Sequence, residues 1–275
     1  HNMARIHPTA VVSADAQLGE DVDVGPYAII DGPVRLGAGT VVLAHSQILG
    51  KTTVGRNGRI GPAAYVGMSP QHIGADPDAG SLIVGDDVHI RETASLHRAS
   101  TAGDDHATRI GDRAFIMAAV HVGHDSVVGA EVVLAHGMML GGHCRIGPRA
   151  FLGGGSAVHQ FCRVGRLAMV RGNEAITQDV PPFAAALYGG LKGYNAVGCK
   201  RAGLSRAAIH ALRSAYRLLL GRRVMGLAID DIRREGLADV PEVAEVVAFV
   251  LSAKRGIVPS LRFARARGGG GEDGE

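Results

Sequence analysis

Thirteen histidines stand in this 275-residue chain, and one of them, His124, is followed directly by an acid, Asp125. An imidazole next to a carboxylate is equipped to take a proton from a hydroxyl or an amine, because the acid orients the ring and stabilises its charged form. Eighteen residues further on, Gly142 and His143 occupy the corresponding places, and Gly123, Gly141 and His159 form a second series with the same spacing. A glycine N–H with no Cβ before it is open to an oxyanion. Base, orienting acid and amide donor are what attack on a thioester carbonyl requires, so the chemistry indicated is acyl transfer.

Residues so far apart in sequence converge only if the backbone repeats. Aliphatic side chains recur every six positions from Ile6 through Val12, Leu18, Val24, Ile30, Leu36, Val42, Ile48, Val54 and Ile60 to Val66. The series resumes at Val84, Ile90 and Leu96, then runs from Ile110 through Val122, Leu140 and Val158 to Ile176. Twelve consecutive matches have a chance probability of about one in ten million when a quarter of the residues qualify. Glycine often follows the aliphatic residue, where it permits a turn that a Cβ would obstruct. Three such hexapeptides close an eighteen-residue triangular coil, and stacked coils place His124 against Gly142 and Asp125 against His143.

The fold class expected is therefore mainly β: a parallel β-helix, or hexapeptide solenoid, over 3–186, with a C-terminal α-helical domain over 187–258. Loops are expected at 68–83 and 98–109, where solenoids commonly carry their binding face. In the helical part Ser205 is a good N-cap, a second helix is expected over Met225–Arg234, and a third begins with Pro241 in its first turn. These helices are placed to cover an open end of the solenoid. The tail is 259–275, with disorder expected over 268–275.

Composition narrows the classes. Forty glycines beside 46% hydrophobic residues, 4% aromatics and no tryptophan describe an aliphatic core. A net charge of +3 without a basic run argues against nucleic acid. Cys144, Cys162 and Cys199 are widely spaced and suggest neither disulfides nor zinc, which fits a reducing cytoplasm. No apolar run of membrane-spanning length and no leader is evident. His121 and His124 lie only three apart, unlike the five-residue histidine spacing of hexapeptide zinc hydrases, so no metal is expected.

At this point the chain resembles a known family. IHPTA (6–10), IRET (90–93), LHR (96–98), VHVGHD (120–125), LGGHCRIG (140–147), AVHQFCRVG (157–165), QDVPP (178–182) and GYNAVGCKRAGLSR (193–206) are similar to the UDP-N-acetylglucosamine O-acyltransferases that open lipid A biosynthesis. The resemblance covers about residues 5–257. It implies a left-handed β-helix, with His124 as general base, Asp125 as its partner and the Gly142 amide as oxyanion donor. His97, His121, His143, His159 and Gln160 would line the substrate site, joined by Gln71 and His72 from the first loop. Asn195 and Arg201 would hold the nucleotide or the donor arm, and Gly172 falls where acyl length is set, a small residue there implying a chain of about a dozen carbons or more.

The resemblance also implies a homotrimer with its sites between subunits, a UDP-sugar acceptor, an acyl carrier protein as donor and no separate cofactor, the acyl group riding on phosphopantetheine. Arg206, Arg213, Arg217, Arg222 and Arg223 could receive that acidic carrier. The chain departs from the family pattern in several places. The first loop has Gln71, His72, Ile73 and Gly74 where an Asp and a Lys are usual, and Val197 and Ala202 replace a Glu and an Arg. N-acylation of a UDP-3-amino sugar is the alternative within the same machinery, and a non-catalytic solenoid lies outside it.

Overall fold

The computed structural model describes residues 2–264. Each hexapeptide contributes a short strand, most only two residues long, with one aliphatic side chain inward. Among the described residues these strands build three sheets of 11, 9 and 8 strands, which form the walls of a triangular prism. The first sheet begins at Arg5–Ile6, the second at Val11–Val12 and the third at Gln17–Leu18. Pairing is parallel and offset by eighteen residues, as in His121↔Met139 and Met139↔Ala157. Where the loops intervene the offset grows, Ile60 pairing with Ile90 and Val84 with Ile110. The phase survives because each loop leaves and rejoins the coil at one corner.

Inside the prism Ile30, Ile48, Ile60, Ile90, Ile116, Leu134 and Leu140 are fully buried. At about 25 cal/mol per Å² of apolar surface this aliphatic column is the main stabilising term. Hydroxyls turned inward find backbone partners, Thr52 Oγ1 donating to Leu49 O and Ser126 Oγ to Gly141 O.

The glycine after the aliphatic residue has a different task from the one expected. A Cβ on Gly37 would lie 2.5 Å from the backbone of Gly55, so this position needs glycine for the close approach of stacked coils. The left-handed turn residue comes two places later and often carries a side chain, as Asp125 (φ 62°), His143 (φ 58°) and Phe161 (φ 65°) show.

Sheet pairing outlasts the boundary expected at 186. Ala184–Leu187 and Gly190–Tyr194 form an antiparallel hairpin on the end of the first sheet. Four helices follow: α1 (Ala196–Arg201), α2 (Arg206–Gly221), α3 (Met225–Arg234) and α4 (Pro241–Leu251). Ser205 caps α2 by accepting from Ala208 N. Buried Tyr216 of α2 donates to Pro182 O, tying the helices to the last coil. A short α5 (Leu261–Ala264) lies within the expected tail, and 268–275 lies outside the described residues. No helix among the described residues is long and apolar enough to cross a membrane.

Candidate active site

One corner of the prism, between the second and third sheets, gathers the chemistry. Both loops leave from it: 69–81 connects Tyr65–Met68 to Leu82–Val84, and 98–107 connects Ser95–His97 to Thr108–Ile110. The turn Gly123–Ser126 follows them on the next coil, and Gly141–Cys144 stacks on it. Arg98 fastens the loops. Its Nε donates to Gly67 O and its other end to Pro77 O, both at 2.9 Å, while Gly50, at φ +66°, leaves space for the guanidinium that a Cβ would fill.

His124 and Asp125 are at the centre, with side chains only 10% and 8% exposed. His124 Nδ1 lies 2.6 Å from Asp125 Oδ2. A carboxylate only accepts, so Nδ1 carries the proton and Nε2 keeps its lone pair. Asp125 also accepts from Ser100 N at 3.1 Å and Ser100 Oγ at 2.7 Å, and its own N–H donates to Thr108 Oγ1 at 2.8 Å. Burial acts to raise the Asp125 pKa, but the hydrogen bonds from His124 and Ser100 outweigh it and hold the carboxyl below its usual range.

Further rings surround the pair. His72, from the first loop, meets the His124 ring edge-on at 5.5 Å, and His143 does so at 5.3 Å. His143 Nε2 is 3.5 Å from Asp125 Oδ2, and Phe161 stacks on the His143 ring at 4.5 Å. His97 and His121 lie 4.8 Å apart. Burial pushes His97 and His143 down and His121 down to about 4. His97 donates from Nδ1 to Ser69 O at 2.7 Å, which leaves Nε2 an acceptor, buried and without a partner among the described residues. Gly142 completes the group: a Cβ on it would lie 2.7 Å from His124 Cε1.

Other expected residues sit elsewhere on the single chain. His159 and Gln160 are exposed one coil beyond Gly141–Cys144, with His159 Nδ1 3.2 Å from Gln160 O. Gly172 occupies a turn between the first and second sheets, a different corner, where a Cβ would meet Gly154 O at 2.9 Å. The Asn195 amide is committed to structure, capping α1 through Gly198 N and donating to Leu167 O. Arg201 is exposed at the end of α1 and Gln71 is exposed in the first loop.

Ser100, Thr108 and Phe161 were missed from the sequence. Phe161 follows His143 by eighteen residues, so the coil arithmetic could have found it. Ser100 reaches Asp125 through a loop whose path no repeat dictates. His124, Asp125 and His143 also offer three donor atoms within 4.8 Å of one another, yet the His124 and Asp125 atoms already bond each other.

Relatives match almost the whole chain. Residues 179–258 match the family model described as "Udp N-acetylglucosamine O-acyltransferase; Domain 2". An acyl-[acyl-carrier-protein]–UDP-N-acetylglucosamine O-acyltransferase from Thermodesulfovibrio yellowstonii is 44% identical over 93% of this chain and 99% of its own. The chain belongs to the UDP-N-acetylglucosamine O-acyltransferase family. Among solved structures, the UDP-N-acetylglucosamine O-acyltransferase of Moraxella catarrhalis aligns with a TM-score of 0.85 at 34% identity, over 92% of this chain and 99% of that one. The UDP-N-acetylglucosamine acyltransferase of Francisella novicida aligns with a TM-score of 0.86 at 29% identity, over 98% and 100%. The family's solenoid is the left-handed β-helix expected from the sequence.

Proposed function

We propose that this protein moves an acyl chain from acyl carrier protein to the 3-hydroxyl of UDP-N-acetylglucosamine, in lipid A biosynthesis. The observation that carries the reading is the buried His124–Asp125 pair, its Nδ1 committed and its Nε2 free, packed over Gly142. With the acceptor hydroxyl at Nε2, the ring takes its proton as the oxygen bonds to the thioester carbonyl carbon. The carbonyl electron pair moves onto oxygen, where the Gly142 N–H, which donates to no protein acceptor among the described residues, stabilises it. Collapse expels the phosphopantetheine thiolate, and the imidazolium returns the proton to sulfur.

Asp125, ionised, stabilises the imidazolium in between. His97 Nε2 is the natural acceptor for a donor group on the sugar, since a buried lone pair without a partner is costly. Gly172 lies at a different corner of the prism and Arg201 in the helical part, both away from His124 on one chain, which supports a homotrimer whose sites form between neighbours. The exposed α2 row Arg206, His210, Arg213 and Arg217 supports docking of an acidic carrier in the cytoplasm. Arg222 and Arg223 are exposed too, but are engaged by Asp231 and the Phe263 ring. Gly172 supports an acyl chain of about a dozen carbons or more.

The acceptor is tested by assaying one acyl donor with UDP-N-acetylglucosamine and with its 3-amino analogue. Ester formation at the higher kcat/KM is expected, and exclusive amide formation would move the assignment to N-acylation.

A further inference from the structure

Beside the His124–Asp125–His143 group the surface opens into a cleft of about 500 Å³, lined in part by Asp125 and His143. Its charge is not explained by the chemistry above. Arg145 and Arg163 line its floor from register-paired positions on adjacent strands of the third sheet. Like charges directly across a ladder are unfavourable by themselves. The segment after α4 adds Lys254 and Arg255 to the lining.

The nearby carboxylates do not balance these charges. Asp179 accepts from Arg163 N and Nε, both at 2.8 Å, and Arg163 also donates to Phe249 O at 3.0 Å. That pair therefore neutralises itself while holding α4. Asp125 is committed to His124 and Ser100. Arg255 uses Nε on Thr177 O at 3.3 Å and keeps its terminal nitrogens. Arg145 and Lys254 are exposed and have no hydrogen-bond or ion-pair partner among the described residues. Three cations thus face one cleft, next to Phe161, which is 54% exposed.

We propose that this cleft is a phosphate subsite, in which Arg145, Lys254 and Arg255 hold the phosphate of a substrate whose reacting end lies at His124. Guanidinium groups meet phosphate oxygens two at a time, and three converging cations match an anion of more than one charge better than a single carboxylate. The volume admits a diphosphate or a phosphodiester together with part of the group it links. The ligand's identity rests on the proposed acyl transfer, whose two substrates both carry phosphate: the diphosphate of the sugar nucleotide and the phosphodiester of phosphopantetheine.

Calorimetric titration of the full chain with UDP, and separately with 4′-phosphopantetheine, to millimolar concentration reads the subsite without turnover. One ligand is expected to bind the wild type and to weaken about tenfold in Arg145→Ala and in Lys254→Ala. Arg145→Lys, which keeps the charge but not the two-pronged geometry, should recover only part of the affinity, and Arg35→Ala, farther along the same sheet, should change nothing. The ligand that weakens identifies the source of the phosphate, and its parent substrate should show the same rise in KM with kcat within about twofold. No binding of either ligand to the wild type, or unchanged affinity for both in both alanine variants, overturns the subsite even where acyl transfer is intact. Normal subsite behaviour in a protein that transfers no acyl group from any carrier overturns the proposed function and leaves the phosphate site standing.

Discussion

Each side chain at the corner has a distinct physical task, and single substitutions separate these tasks. Gly142→Ala puts a methyl group into the space of the His124 ring, whose far edge can swing aside, so the fold should persist while the base is displaced. A fall in kcat of about a hundredfold or more with a nearly unchanged thermal midpoint is expected, measured by steady-state kinetics beside a melt. Ser100→Ala removes the hydroxyl that steadies Asp125 without touching the reacting atoms. It should lower kcat about tenfold with KM unchanged, and a loss confined to KM would show that Ser100 binds substrate instead. The depressed histidines make a separate, pH-dependent prediction. His121 titrates near 4 in the folded protein and near its ordinary value when unfolded, so between about pH 6.5 and 4 the unfolded chain binds more protons. Stability is therefore lost as pH falls through that window. Melting curves of the wild type should drop there more steeply than those of His121→Gln.

Among the elements, the loops determine whether the corner works. Arg98 is 5% exposed and binds both Gly67 O and Pro77 O, so Arg98→Ala leaves the buried Gly67 carbonyl unpaired and frees 69–81, which carries His72. Limited proteolysis should nick this loop in the variant well before the wild type, and an unchanged cleavage pattern would deny Arg98 its role. The coil itself was legible in the sequence, because a buried aliphatic residue every six positions is imposed by a narrow triangular interior at each strand. The stacking of His124 on Gly142 followed directly from that arithmetic. The routes of 69–81 and 98–107 were not legible, since nothing periodic constrains them, and with them went the Ser100 and His72 contacts. Glycine was found in the right places for a partly wrong reason: it answers to the backbone of the neighbouring coil, while the left-handed turns are made by Asp125, His143 and Phe161. The use of the Asn195 amide, expected to hold the nucleotide or the donor arm, as the cap of α1 was not legible either.

At the scale of the whole molecule, the β-helix is covered by helices at one end, while at the other Ile6 remains 47% exposed. The proposed site residues are spread over more than one corner, so an assembly of three chains is expected. Sedimentation should give about three times 28.5 kDa. Charge reversal of Arg206, Arg213 and Arg217 together should raise KM for acyl carrier protein while leaving KM for the sugar nucleotide unchanged, since the row lies on α2 and not at the corner. The role on which the whole molecule turns is that of His124 as the proposed base for acyl transfer to a sugar-nucleotide hydroxyl. It is tested most directly by single-turnover transfer from acyl carrier protein to UDP-N-acetylglucosamine, comparing the wild type with His124→Ala. A rate lowered by about two to four orders of magnitude, in a variant with the wild-type melt, is expected. A His124→Ala rate within twofold of the wild type would contradict it.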